Sequence, residues 1–135
     1  MQKDFDKWNE EKKRADASEI AWDFFFHERE VWWCAIGANV GVEIDGKHHS
    51  FERPVLIIRK FNKEMFLGVP LTSNEHDAQY HIKITHEHGS SWAVLSQLRT
   101  WSSKRLLRRI GKASEGDFTA IVSKLNGLIK IETPR

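Results

Sequence analysis

The chain has 135 residues, of which 40% are hydrophobic and 30% charged, and it contains six tryptophans. That composition suits one globular domain with a single core and excludes a disordered or fibrous protein. No run approaches the roughly 18 apolar residues of a membrane span, and the stretch MQKDFDKWNEEKKR carries charges where a signal peptide would be apolar, so a cytoplasmic protein with no membrane role is expected.

Residues 3–17 are rich in helix formers but offer only Phe5 and Trp8 as apolar contacts, which predicts a short helix with a narrow contact face. With the aromatic cluster IAWDFFF at 20–26 it makes an appended arm, residues 1–27, ahead of a main domain at 28–131. VWWCAIG has the β-branched and aromatic content of a strand, ended by Gly37. Its Cys34 is the one cysteine of the chain, which excludes an internal disulfide and reads as a buried, inert thiol. RPVLIIRKF and MFLGVPLTS form two strands joined by a tight hairpin at Asn62-Lys63-Glu64. QYHIKITHEH sets Tyr80, Ile82 and Ile84 against His81, Lys83 and Thr85, the period-two pattern of a half-buried strand, and Gly89-Ser90-Ser91 turns it into a fifth strand, WAVLSQLRTW.

Past Trp101 the period changes. Ser102 or Ser103 is placed to cap a short helix with Leu106, Leu107 and Ile110 inward, Arg105, Arg108 and Arg109 outward, and Gly111 at its end. Ser114-Glu-Gly-Asp117 has capping-box form, and Phe118, Ile121, Val122, Leu125, Leu128 and Ile129 follow at helical spacing, so a C-terminal helix packs on the sheet. Short strands followed by helices predict an α+β fold around an antiparallel, barrel-like sheet.

Net charge is +2, but its distribution is uneven: residues 1–19 hold five Lys/Arg and six Asp/Glu, whereas 88–114 has no acidic residue and carries Arg99, Lys104, Arg105, Arg108, Arg109 and Lys112. With Trp92 and Trp101 nearby, that stretch suits either a solvated face or contact with a phosphate backbone. Other chemistries lack their motifs. There is no glycine-rich phosphate loop and no cysteine pair for zinc. His48-His49 and His86-x-His88 form no known ligand spacing with Glu52 or Glu87, so neither a metal nor another cofactor is expected. Ser96 and Ser103 lack a nucleophile elbow. What stands out is Arg53, followed by Pro54 at the mouth of an apolar strand.

Six blocks occur in order: Trp32-Trp33, Gly41-x-Glu43-x-x-Gly46-Lys47, Arg53-Pro54-Val-Leu-Ile-Ile, Val69-Pro70-Leu-Thr72-Ser73, Leu95-Ser-Gln97-Leu-Arg99-Thr100, and Lys104-Arg105 with Gly111-Lys112. Together they resemble the MazF/PemK family over roughly residues 29–129. The resemblance implies a small SH3-like β-barrel with a C-terminal helix, usually a homodimer. It also implies a type II toxin that cleaves single-stranded mRNA at short sequences, without a metal, and is blocked by an antitoxin protein. Metal-free cleavage attacks the phosphate with the neighbouring 2′-OH, so charge builds on the phosphoryl oxygens, where a fixed guanidinium stabilises it.

The resemblance makes Arg53 that guanidinium and Thr72 the hydroxyl beside it, and places Glu43, Lys47, Ser73, Gln97 and Arg99 at RNA-binding positions. Pro54 would hold Arg53 extended and aim it from a rigid element. A surface ion pair of Arg53 with Glu43 or Glu52, and a strand-end cap for Thr72, are the plainer alternatives. One branch of the family has an acidic residue and an arginine where this chain has Ser96 and Val94, and neither replacement can move a proton. The acceptor lies elsewhere or is replaced by water; histidine titrates in the right range, and one of the His48-His49 pair in the loop before Arg53, His49 first, is the expected base. Two other readings use the same fold: a non-catalytic RNA-binding or scaffolding member, and a topoisomerase poison like the CcdB group. The last ends in an aromatic-Gly-aliphatic segment, unlike Ile131-Glu-Thr-Pro-Arg135 here.

Overall fold

The computed structural model describes residues 26–36, 52–74 and 79–130; the expected helix of the N-terminal arm and the loop with Glu43, Lys47, His48 and His49 lie outside them. The elements are β1 (Glu30–Ala35), β2 (Glu52–Asn62), β3 (Met65–Thr72), β4 (His81–His86), β5 (Gly89–Val94), β6 (Arg99–Ser102), β7 (Leu106–Lys112) and the helix α1 (Glu115–Ile129). The strands are antiparallel in the order β4-β5-β3-β2-β1-β7, with β6 pairing to β3 off that path.

β2 is the central strand, and its run Val55-Leu56-Ile57 explains why. Val55 and Ile57 enter one core with Phe26, Trp32, Phe66 and Trp101, while Leu56 enters the other with Val31, Leu71, Ile84, Ile121 and Leu125. A strand buried on both faces reads as continuous apolar sequence, and each such side chain contributes about 1.5–3 kcal/mol. The β2–β3 hairpin turns at Lys63 and Glu64, as expected, with Asn62 Oδ1 accepting the Glu64 N–H at 2.8 Å. Gly68 is required where these strands meet: a Cβ there would lie 2.9 Å from Val55 Cγ1 and 3.0 Å from the Leu56 carbonyl oxygen. Pro70 falls where β3 changes neighbour, from β6 along Met65–Gly68 to β5 at Leu71 and Thr72, so its missing N–H interrupts no ladder there.

Several expectations are corrected. The stretch WAVLSQLRTW is not one strand: a 3-10 turn at Leu95–Gln97 breaks it into β5 and β6, which carries the chain from one end of β3 to the other. The segment after Ser103 is not a helix. Ser102 does cap a turn, accepting the Lys104 N–H at 3.2 Å, but the turn ends at Arg105 and Leu106–Lys112 pairs with β1. Leu106, Leu107 and Ile110 imitate a helical face, yet so short a helix is marginal alone and the β1 edge offers a ladder. Two bulges, at Leu107 and Ile110, leave Leu106 in the core and Leu107 exposed.

Nor does the sheet close into a barrel. Among the described residues no ladder joins β4 to β7, and the β4–β5 hairpin pairs with β3 only at Leu71 and Thr72. The two ends still approach: the Ser114 N–H donates to the Thr85 carbonyl at 3.3 Å, and Arg109 Nη2 lies 3.6 Å from Glu87 Oε1. α1 completes this side. Ser114 Oγ accepts the Asp117 N–H at 3.2 Å, and the Asp117 carboxylate accepts from Thr85 N (2.8 Å) and Oγ1 (3.0 Å), fastening the helix to β4. Burial alone would raise the Asp117 pKa, but these bonds and one from Ser114 outweigh it and hold it below the usual carboxylate value. Ile121 and Leu125 are buried, whereas Leu128 and Ile129, expected inside, are exposed. No helix among the described residues is long and apolar enough to cross a membrane.

Candidate functional site

The gap between the β4–β5 hairpin and β7 is a groove of about 630 Å³. Its floor is the start of β2 and the end of β3. The β2–β3 register pairs Val55 with Pro70, and carrying it two residues further sets Arg53 level with Thr72. Both are buried, at 8% exposure each, and both line the groove. Arg53 Nη1 donates to the Leu71 carbonyl at 3.1 Å, and Thr72 Oγ1 accepts the Asn74 N–H at 3.2 Å. A guanidinium tied to backbone at the end of a central strand has little freedom, as an electrostatic stabiliser requires. Ser73 lines the same groove.

The walls add residues that the sequence reading assigned elsewhere. Arg108 and Arg109 line the groove from β7, with Trp33 beside them on β1. Arg108 sits 5.1 Å over the Trp33 ring and donates to Glu52 Oε2 at 2.8 Å. Arg109 Nε donates to Glu30 Oε2 at 3.1 Å; the other oxygen of this buried carboxylate accepts from Trp32 Nε1 and the His27 N–H. Neither carboxylate is among the described residues of the groove lining, whose charged side chains are Arg53, Arg108 and Arg109. Opposite are His86 and His88, flanking the hairpin turn, with Ser90 and Ser91. The His88 N–H donates to His86 Nδ1 at 3.2 Å. Partial burial, then the neighbouring His88, lowers the His86 pKa against an opposing pull from Glu87, so the neutral ring is favoured.

The structure therefore brings together Arg53, Thr72 and Ser73. Gln97 and Arg99 do not line this groove: Gln97 ends the 3-10 turn, and Arg99, paired with Gly68, lies 4.4 Å over the Trp101 ring beyond it. Glu52, one alternative partner weighed for Arg53, accepts from Arg108. Cys34 is buried, which pushes its thiol pKa far up against a smaller pull from Arg105. His86 and His88 join no group of three or more potential metal ligands among the described residues. One sequence signal did foreshadow the walls: the stretch 88–114 without an acidic residue supplies Arg108 and Arg109.

A family model described as PemK-like, MazF-like toxin of type II toxin–antitoxin system matches residues 27–129. The chain belongs to the PemK-like, MazF-like toxins. The fold agrees at low sequence identity. MazF from Deinococcus radiodurans superposes with a TM-score of 0.63 at 18% identity, covering 77% of this chain and 96% of that one. An endoribonuclease in complex with its cognate antitoxin from Mycobacterial species gives 0.58 at 13% identity, covering 79% and 97%. The Mycobacterium tuberculosis toxin MazF-mt6 gives 0.58 at 13%, covering 78% and 100%. No curated protein matches the chain in sequence. Within this MazF-like chain, the arginine and threonine blocks from which the resemblance was drawn end in one groove.

Proposed function

We propose that this protein is a sequence-specific endoribonuclease toxin that cleaves single-stranded RNA through attack of the 2′-OH on the adjacent phosphate, without a metal. The observation that carries the reading is Arg53: a buried guanidinium, pinned to the Leu71 carbonyl and level with Thr72, in a groove whose other wall bears Arg108 and Arg109. Negative charge grows on the phosphoryl oxygens as the 2′-oxygen attacks. Arg53 meets that charge from a fixed position, and the Thr72 hydroxyl can donate to the same group. Arg108 and Arg109 hold flanking phosphates, and the Trp33 ring offers an apolar face for an unstacked base.

The protein acts in the cytoplasm as a homodimer and is neutralised by an antitoxin protein, in keeping with its family and with the neighbouring fold that was determined with a cognate antitoxin. The domain at 28–131 carries this activity, with residues 1–27 as an appended arm. The test is incubation of purified protein with a long unstructured RNA: the wild type cuts it at defined sites and Arg53→Ala leaves it intact. A wild type that binds RNA without cutting would make the protein a binding module instead.

A further inference from the structure

The reaction needs a group to take the 2′-OH proton, and the groove lining narrows the choice. Arginine stays protonated, serine and threonine hydroxyls are poor acceptors at neutral pH, and no carboxylate lines the groove among the described residues. Among the described lining residues, His86 and His88 are the two whose type exchanges protons near neutrality. The hairpin gives them different chemistry. His86 Nδ1 accepts the His88 N–H, so the neutral ring of His86 carries its proton on Nε2 and is a donor there. It cannot accept at Nε2 without giving up that bond. His88 is exposed at the turn and contributes its backbone, not its ring, to the bond.

We propose that His88 takes the proton from the attacking 2′-hydroxyl, and that His86 presents its Nε2–H to the phosphoryl group as a fixed hydrogen-bond donor. This rests on the ribonuclease reading above and deepens it. As the 2′-O–P bond forms, the hydroxyl proton passes to the His88 ring. The P–O5′ bond breaks, the departing O5′ takes a proton from water, and His88 returns its own proton to solvent. The products are a 2′,3′-cyclic phosphate and a 5′-OH, with every proton accounted for and no change of oxidation state.

The charged groups around the pair come from each neighbouring element. Glu87 lies between the two histidines and meets Arg109 of β7; Arg108 of β7 and Arg53 of β2 face the same groove; Asp117 of α1 holds Thr85, next to His86. Lowering of the His86 pKa by burial and by His88 keeps that ring a neutral donor, in agreement with the bond geometry.

The test is single-turnover cleavage of a long unstructured RNA from about pH 5 to about pH 8, spanning the range in which imidazole titrates. Wild type, His88→Ala, His88→Gln, His86→Ala, His86→Gln and His49→Ala are compared, with folding checked by thermal melting. His88→Ala and His88→Gln are each expected to cut about 100-fold more slowly and to lose the acidic limb of the pH profile. His86→Ala is expected to lose about tenfold with the limb intact, and His86→Gln, whose amide N–H can stand in for Nε2–H, to recover to within about threefold. A His88→Ala enzyme that keeps its rate and limb overturns the proposal while leaving the ribonuclease reading in place. Loss of the limb in His49→Ala or in His86→Gln overturns it likewise. A folded wild type that cuts no RNA at any pH overturns both.

Discussion

Arg53, at the start of β2, donates from Nη1 to the carbonyl oxygen of Leu71, 3.1 Å away near the end of β3. The contact locks a charged side chain across two adjacent strand ends, with Thr72 the next residue along. A cation held this way is oriented before any substrate arrives, so little reorganisation remains for the transition state.

Orientation, and not charge alone, is therefore what Arg53→Lys would lose. An ammonium keeps the charge but lacks the planar fork. We expect RNA affinity within about threefold of wild type and cleavage slower by about 100-fold or more, the usual cost of removing one such donor. Single-turnover rates and a binding isotherm on the same RNA check the split.

Arg108 and Arg109 predict a salt signature. Removing one phosphate-binding cation should flatten the plot of log affinity for single-stranded RNA against log salt by about 0.7. Arg108→Ala should do so with little loss of stability, because its pair with Glu52 is more than half exposed on the arginine side. Binding titrations at several salt concentrations, with a melt of each variant, test both halves.

Gly68→Ala should destabilise the fold without touching the groove. The added Cβ would meet Val55 Cγ1 at 2.9 Å and the Leu56 carbonyl at 3.0 Å, and the carbonyl cannot rotate away. The expected loss is about 1–3 kcal/mol, read by denaturant unfolding.

Asp117 gives a pH prediction. Its folded pKa lies below the ordinary carboxylate value because Thr85 and Ser114 bond the charged form more than burial opposes it. A depressed folded pKa contributes stability that is present above the unfolded value, about 3.9, and is lost as pH falls through the folded one. Asp117→Asn should therefore melt below wild type at neutral pH, and the gap should close under acid conditions. A gap that stays constant with pH would show that the Asp117 charge contributes nothing.

Much of this fold was legible in the sequence because its strands obey simple patterns. The β2–β3 hairpin, the alternation of β4 and the Ser114 cap of α1 appear where the residues predict them. β7 did not, since Leu106-Leu-Arg-Arg-Ile110 fits a helical face as well as a bulged strand, and only the unpaired side of β1 decides between them. The floor of the groove was legible through Arg53 and Thr72. Of the walls only Arg108 and Arg109 were foreshadowed, by the acid-free stretch 88–114; Trp33 and the His86/His88 pair come from other strands and meet them only once the sheet curls short of closure.

Whether this groove cleaves RNA through 2′-OH attack, with Arg53 at the phosphate, is decided by the ends it leaves. Wild type and Arg53→Ala are incubated with a long unstructured RNA in EDTA and the fragment termini are mapped. Cuts by the wild type alone, ending in 2′,3′-cyclic phosphate and 5′-OH, are the expected outcome. Cleavage that disappears in EDTA, that leaves 5′-phosphate ends, or that persists in Arg53→Ala would refute this mechanism.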